Sequence, residues 1–421
     1  MTLSFTEYDL ANGLHVILYP DSTAPVVTVG MMYHVGAKDE QPERTGFAHF
    51  FEHLLFEGTK NISRGKWFDI VSANGGHNNA FTTQDKTYFY EVFPANNLEL
   101  ALWMEAERLL HPIINEIGVS TQNSVVKEEK SQRIDNAPYG RIMYREAINR
   151  YLFGQHPYKG TVIGETAHLD AATLDEFVLF KKRFYNPNNA VLVVAGDFQE
   201  ATAKEWIAKY FANIPNTADK KKPIKVDELP ITQTIKATEY DNNIQIPLKL
   251  YAYCTPAMAH KDAYTLDLIA YLLTDGKSAR LYKKMIDEEK TALQVLAFSD
   301  AQEDYGVYIM GALPMEGVSL AQLAEQMDEE IVKLQTELIS EREYEKLQNQ
   351  IEMQFVSGLT NMESIALALA DSYLFYKDTH AINNTIAMYR SVTREDIRET
   401  ARQYLGAHQR LDLDYLPATE E

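Results

Sequence analysis

Apolar positions cluster at the start of the chain in short runs with strand character. Residues 13–19 and 26–33 are rich in β-branched and aromatic side chains, with Pro20, Asp21, Ser22 and Pro25 in the gap, so two strands and a turn are predicted. A polar loop from Gly36 to Gly46 follows. Residues 47–56 are apolar apart from His49, Glu52 and His53, and Gly58 marks a stop, which predicts a helix. Residues 87–93 read as a strand. Leu98, Leu102, Ala106 and Leu109 share one face of a helical period, predicting a helix over 98–110. Another helix is predicted from about 118 to 133, and residues 191–195 read as a buried strand.

The same order of elements returns later. Residues 51–58 can be laid on 269–276, each copy preceded by a strand-like run, 26–33 in the first and 246–253 in the second. Phe184-Tyr185 followed by 190–192 matches Tyr404-Leu405 followed by 410–412. The offset is about 220 residues throughout, as an internal repeat requires. Between the copies, Pro215 to Pro230 holds three prolines and the run Lys220-Lys221-Lys222, a solvated linker by composition. Two domains are therefore expected, 1–215 and 236–421, joined by a linker at 216–235. In the second copy the positions of His49, Glu52 and His53 fall on Asp267, Ala270 and Tyr271, so only the first copy carries their chemistry.

Composition narrows the functional classes. The chain has 421 residues, enough for two sizeable cores, and a formal net charge of −20. That charge argues against nucleic acid and against an anionic membrane surface as partners. Hydrophobic content of 45% and charged content of 24% are those of a globular protein. The single cysteine, Cys254, excludes an internal disulfide and a cysteine-ligated zinc cluster. No run approaches the ~18 apolar residues of a membrane span. Residues 1–9 lack the basic and apolar regions of a signal peptide, so a cytoplasmic location is expected, or a periplasmic one if a leader has been removed.

His49-Phe50-Phe51-Glu52-His53 has the form H-x-x-E-H. On a helix, residues four apart share a face, so both imidazoles can reach one cation. Neutral imidazole is a good zinc ligand, and a catalytic zinc takes three protein ligands and a water. Glu52 lies within the same turn, placed to take a proton from that water. The plainer alternative is a helix with two hydrogen-bonded histidines and a surface carboxylate. Phe47, Phe50, Phe51, Leu54, Leu55 and Phe56 weaken it, because ionisable groups on a buried helix need partners and a cation supplies them. A third ligand is needed. Residues 125–130 offer Glu128 and Glu129, and chemistry alone does not choose between them.

These motifs resemble those of the pitrilysin/insulinase zinc metallopeptidases (the inverzincins), and most closely the branch of the mitochondrial processing peptidase β-subunit and small bacterial peptidases. The resemblance runs through residues 46–59, Gly75-Gly76-His77-Asn78-Asn79-Ala80-Phe81-Thr82 and residues 125–129, and extends over essentially the whole chain. It implies an α+β fold of two homologous α/β-roll domains, mainly antiparallel sheets flanked by helices, forming half of a clamshell. It implies Zn2+ held by His49, His53 and Glu129, which lies 76 residues beyond His53, with Glu52 as the general base. The family's usual supporting glutamate, seven residues before the third ligand, is Gln122 here, an uncharged side chain that can still hydrogen-bond a ligand from behind. Asn79, Ala80 and Phe81 match a sheet edge onto which a peptide substrate adds as a strand.

One part of the family's site is missing. The second repeat normally supplies an Arg and, seven residues later, a Tyr that stabilise the oxyanion. Here those positions are Ile286 and Leu293, and no Arg after the linker has a Tyr seven positions on. The expectation is a zinc endopeptidase for short or unfolded peptides acting as one subunit of a heterodimer, its homologous partner supplying the Arg/Tyr pair. The alternatives are an active homodimer, or a non-catalytic structural or peptide-binding subunit of the same fold.

Overall fold

The computed structural model describes residues 2–216 and 226–418. Lys220, Lys221 and Lys222 of the expected linker lie outside the described residues. Strands β1 (Thr6–Asp9), β2 (His15–Pro20), β3 (Val26–Tyr33), β4 (His77–Thr82), β5 (Thr87–Pro94) and β6 (Ala190–Gly196) form one sheet in the order β1-β2-β6-β3-β5-β4. Strands β7 (Ile235–Asp241), β8 (Leu248–Pro256), β9 (Ala292–Ala301), β10 (Tyr305–Pro314) and β11 (Arg410–Pro417) form the other, in the order β7-β11-β8-β10-β9. In each sheet one neighbouring pair is parallel, β2 with β6 and β7 with β11, and the rest are antiparallel. Apart from the extra edge strand β1, the two sheets have the same order and the same pairing senses. The repeat seen in the sequence is therefore a repeat of topology, in an α+β fold.

The central strands read as unbroken apolar runs because both faces of each sheet are covered. Every residue of β6 is buried. On one face of the first sheet, the Leu98–Leu110 helix packs against β3 and β5; on the other, the Met362–Tyr376 helix lies over β6 and β3. In the second sheet, the Lys261–Thr274 helix packs against β9 and the Glu146–Leu152 helix against β8 and β11. Ala147, Ile148 and Leu152 share a core with Leu250, Ala252, Leu411 and Leu413.

Two covering helices therefore come from the opposite half of the sequence. The compact units are discontinuous: residues 1–130, 160–225 and 356–383 make one, and 131–159, 226–355 and 384–421 the other. This differs from the chain-continuous division expected at 215 and 236. The reason is that a sheet buried on both faces needs two covers, and each half exchanges one with the other. The helix expected over 47–56 stops at Leu54, where tighter bonds from Phe56 N–H to His53 and from Glu57 N–H to Leu54 close its end. Among the described residues, no helix is long and apolar enough to cross a membrane.

Candidate metal centre

The site is built on the Phe47–Leu54 helix, held at both ends by ionisable side chains. At its start, Glu40 accepts the N–H groups of Gly46 and Ala48, each at 2.7 Å, supplying a cap from outside the helix. Burial pushes the Glu40 carboxyl well above its ordinary range, against the pull of these donors. Gly46 has φ +90°, and a Cβ there would stand 2.6 Å from the Ile163 carbonyl oxygen, so only glycine fits this entry. At the far end, Arg108 donates to the Leu55 carbonyl at 3.3 Å. The guanidinium also pairs with Glu91 at 2.7 Å and Glu105 at 3.0 Å, and lies over the rings of Trp67, Phe56 and Phe89.

His49 and His53, one turn apart, meet Glu129 of the Glu116–Lys130 helix. The two Nε2 atoms are 3.3 Å apart, and Glu129 Oε2 is 3.4 Å from His49 Nε2 and 3.2 Å from His53 Nε2. A tetrahedral zinc with bonds of about 2.0–2.1 Å separates its ligand atoms by about 3.3 Å. The triangle of two imidazole nitrogens and one carboxylate oxygen thus has the size and donor chemistry of three zinc ligands. It is the one cluster of this kind among the described residues. The three side chains retain 12–23% exposure, which leaves an approach for water and a ligand. Helix phase separates the neighbouring glutamates: Glu129 lies with the two histidines and Glu128 is exposed.

Glu52 accepts the Thr82 hydroxyl at 2.7 Å. Thr82 is the last residue of β4, which pairs only with β5 and forms the sheet edge among the described residues. Asn79, Ala80 and Phe81 lie in mid-strand, opposite Tyr90, Phe89 and Tyr88. Asn79 Oδ1 accepts the Ala80 N–H at 2.9 Å, occupying a backbone donor that the β5 ladder does not use. The exposed edge therefore ends at the Glu52 carboxylate, in the same helix as His49 and His53.

The Gln122 amide, two turns before Glu129, donates to Glu57, which also accepts Arg64. Glu40, Thr82 and Arg108 escaped sequence reading, although Glu91, a lone charge among the aromatics of β5, was a usable signal for the buried cluster. In the second repeat, Asp267 accepts the Tyr389 hydroxyl and Tyr271 donates to Gln354 at 3.1 Å. Burial raises the Asp267 carboxyl. Polar contacts between side chains stand at the positions that His49 and His53 hold in the first repeat. Ile286 packs against the core and Leu293 is exposed, so neither position offers an oxyanion donor.

Fold and site define a class: two-repeat α+β proteins with one inverted H-x-x-E-H metal centre. Residues 15–166 match the family model "Insulinase (Peptidase family M16)", and residues 171–351 match "Peptidase M16 inactive domain". The chain belongs to the M16 insulinase family of peptidases. It is 28% identical over 397 residues to zinc protease PqqE of Helicobacter pylori, covering 94% of this chain and 89% of that one. A crystal structure of a protease from Helicobacter pylori superposes with a TM-score of 0.92 at 27% identity, covering 98% and 99% of the two chains. The fold also recurs in the periplasmic protease PqqL of Escherichia coli, with a TM-score of 0.81 at 18% identity, covering 99% of this chain and 48% of that one.

Proposed function

We propose that this chain is a zinc-dependent endopeptidase for short or unfolded peptides and the zinc-bearing subunit of a heterodimer. The observation that carries the reading is the His49–His53–Glu129 triangle with Glu52 one residue away. Zinc is the metal in the names of curated relatives. His49 and His53 would hold it as neutral imidazoles and Glu129 as a carboxylate. When bound, zinc lowers the pKa of a water towards ~7 and polarises the peptide carbonyl. Glu52, oriented by Thr82, takes the proton of the attacking water. As the water oxygen joins the carbonyl carbon and the C–N bond breaks, Glu52 passes that proton to the leaving amine. The β4 edge aligns the peptide by backbone hydrogen bonds, which demand little sequence. At the two positions where the family carries its oxyanion donors, 286 and 293, this chain has no polar side chain. The apolar side chains at 286 and 293 support a partner that brings one, as does the recurrence of this fold in a chain about twice as long.

Metal analysis by atomic emission should find one zinc per chain; its absence would favour a non-catalytic subunit. Hydrolysis of an unstructured peptide should be slow with the lone chain. It should rise by roughly 10²–10³-fold on adding a homologue that carries the Arg/Tyr pair and no H-x-x-E-H. Full activity of the lone chain would sink the heterodimer, and its size by gel filtration would then report a homodimer. Glu129→Gln should weaken zinc binding by more than about 100-fold, beyond the loss typical of a supporting residue. Competition with a chromogenic chelator measures it.

A further inference from the structure

The edge strand beside Glu52 is gripped from its other side by the exchanged helix. Along β4, Thr82 meets Glu52 on the face towards the metal ligands, while Phe81 meets Lys86 on the opposite face. Lys86 is largely buried, with its ammonium 5.5 Å from the Phe81 ring centre and 5.6 Å from that of Phe375. It is paired there with Asp371. Asp371 and Phe375 both belong to the Met362–Tyr376 helix, one turn apart. At the other end of the strand, His77 and Glu363 of the same helix approach within 3.5 Å, in a more exposed pair. The turn between β4 and β5 is fixed separately, by the buried pair Lys38–Asp85 at 2.8 Å and by Gln84 donating to the Gly160 carbonyl at 2.8 Å.

An open edge strand is ordered on one side only, and a peptide that adds to it must find it extended. Affinity falls in proportion to the fraction of time the strand is in that state. The turn contacts hold residues 83–86; before the turn, the β5 ladder and the Tyr88 ring hold Phe81 from one side, and Lys86 with the exchanged helix adds the contact on the other face. From this geometry we infer that Asp371, acting through Lys86 and Phe81, is a positioning residue that keeps β4 in its peptide-binding form. This deepens the peptidase reading and rests on it. A helix contributed by the second half of the chain thus serves substrate capture in the first, which gives the exchanged connection a role beyond covering the sheet.

Asp371→Asn separates positioning from a merely structural effect. Loss of folded protein would lower the apparent kcat and leave KM alone. Loss of edge order raises KM, because the bound peptide itself restores the ladder. We expect KM for an unstructured peptide, assayed with the complementing subunit, to rise three- to tenfold, with kcat within twofold and zinc content unchanged. Lys86→Met combined with Asp371→Leu, which replaces the pair by apolar contact between the two rings, should return KM towards the parent value. Amide hydrogen exchange across residues 77–82 should quicken in Asp371→Asn and recover in the double variant. Unchanged KM and unchanged exchange would overturn the inference, as would a fall in kcat alone. If the parent protein cleaves nothing, the peptidase reading fails, and the exchange measurement still decides the role of Asp371.

Discussion

Glu52→Gln should cut peptide hydrolysis by about 10²–10⁴-fold, the usual share of a positioned general base, while zinc stays at one per chain. The substitution is nearly isosteric. The glutamine oxygen can still accept the Thr82 hydroxyl, so the link between base and edge strand survives. His49, His53 and Glu129 keep their triangle, since none of the three closest approaches involves Glu52. What is lost is proton affinity: an amide cannot take the proton of the attacking water. The variant should therefore bind unstructured peptide with parental affinity and hold it uncleaved. Hydrolysis rate, zinc content and peptide anisotropy on one preparation test this together. Retained activity would remove Glu52 from the base role, whereas joint loss of activity and zinc would mean that Glu52 supports the metal instead. Glu129→Gln provides the contrast, because there metal and activity should fall together.

The parts of this site that were legible in the sequence were those set by local geometry. H-x-x-E-H places two imidazoles and a carboxylate within a turn whatever the tertiary surroundings. The Leu98–Leu110 helix follows its apolar period to the residue, and the repeat of strands and helices follows the repeat of motifs. Glu128 and Glu129 differ by about 100° of helix rotation, so only the packing of their helix selects one. Residues 77–80, with two asparagines, have little strand propensity, and β4 forms because β5 offers a ladder. The helix exchange has no local signature. Burial of β6 on both faces says that a second cover exists, but not that it arrives from residue 362. Arg108 falls off the apolar stripe read from Leu98, Leu102, Ala106 and Leu109, and a helical wheel sends it to solvent, whereas Glu105, seven residues after Leu98, lies on that stripe as a charge. Arg108 is buried because Glu91 meets it from the sheet beside Glu105.

That buried cluster carries the largest expected loss of stability. Arg108→Met keeps much of the side-chain volume among Trp67, Phe56 and Phe89 but removes the only cation that Glu91 and Glu105 share within the cluster. Leaving buried charge without its partner costs about 3–5 kcal/mol, a large fraction of a typical folding free energy. The loss should depend on pH, and its sign follows from Glu91. Burial first, and Glu105 second, already push the Glu91 carboxyl well above its ordinary range, with Arg108 pulling it back. A folded-state pKa that is raised makes stability fall as pH rises from the unfolded value to the raised one. Without Arg108 the Glu91 carboxyl loses the guanidinium that pulls it back, and is pushed further up. The gap between parent and variant should then widen as pH rises through the parent's raised Glu91 value, by at most about 1.4 kcal/mol per pH unit. Urea unfolding at pH 5, 6.5 and 8 measures it. A gap that does not change with pH would show that water reaches the carboxylates once the guanidinium is gone. The Leu55 carbonyl also loses its donor, so zinc affinity should weaken at every pH.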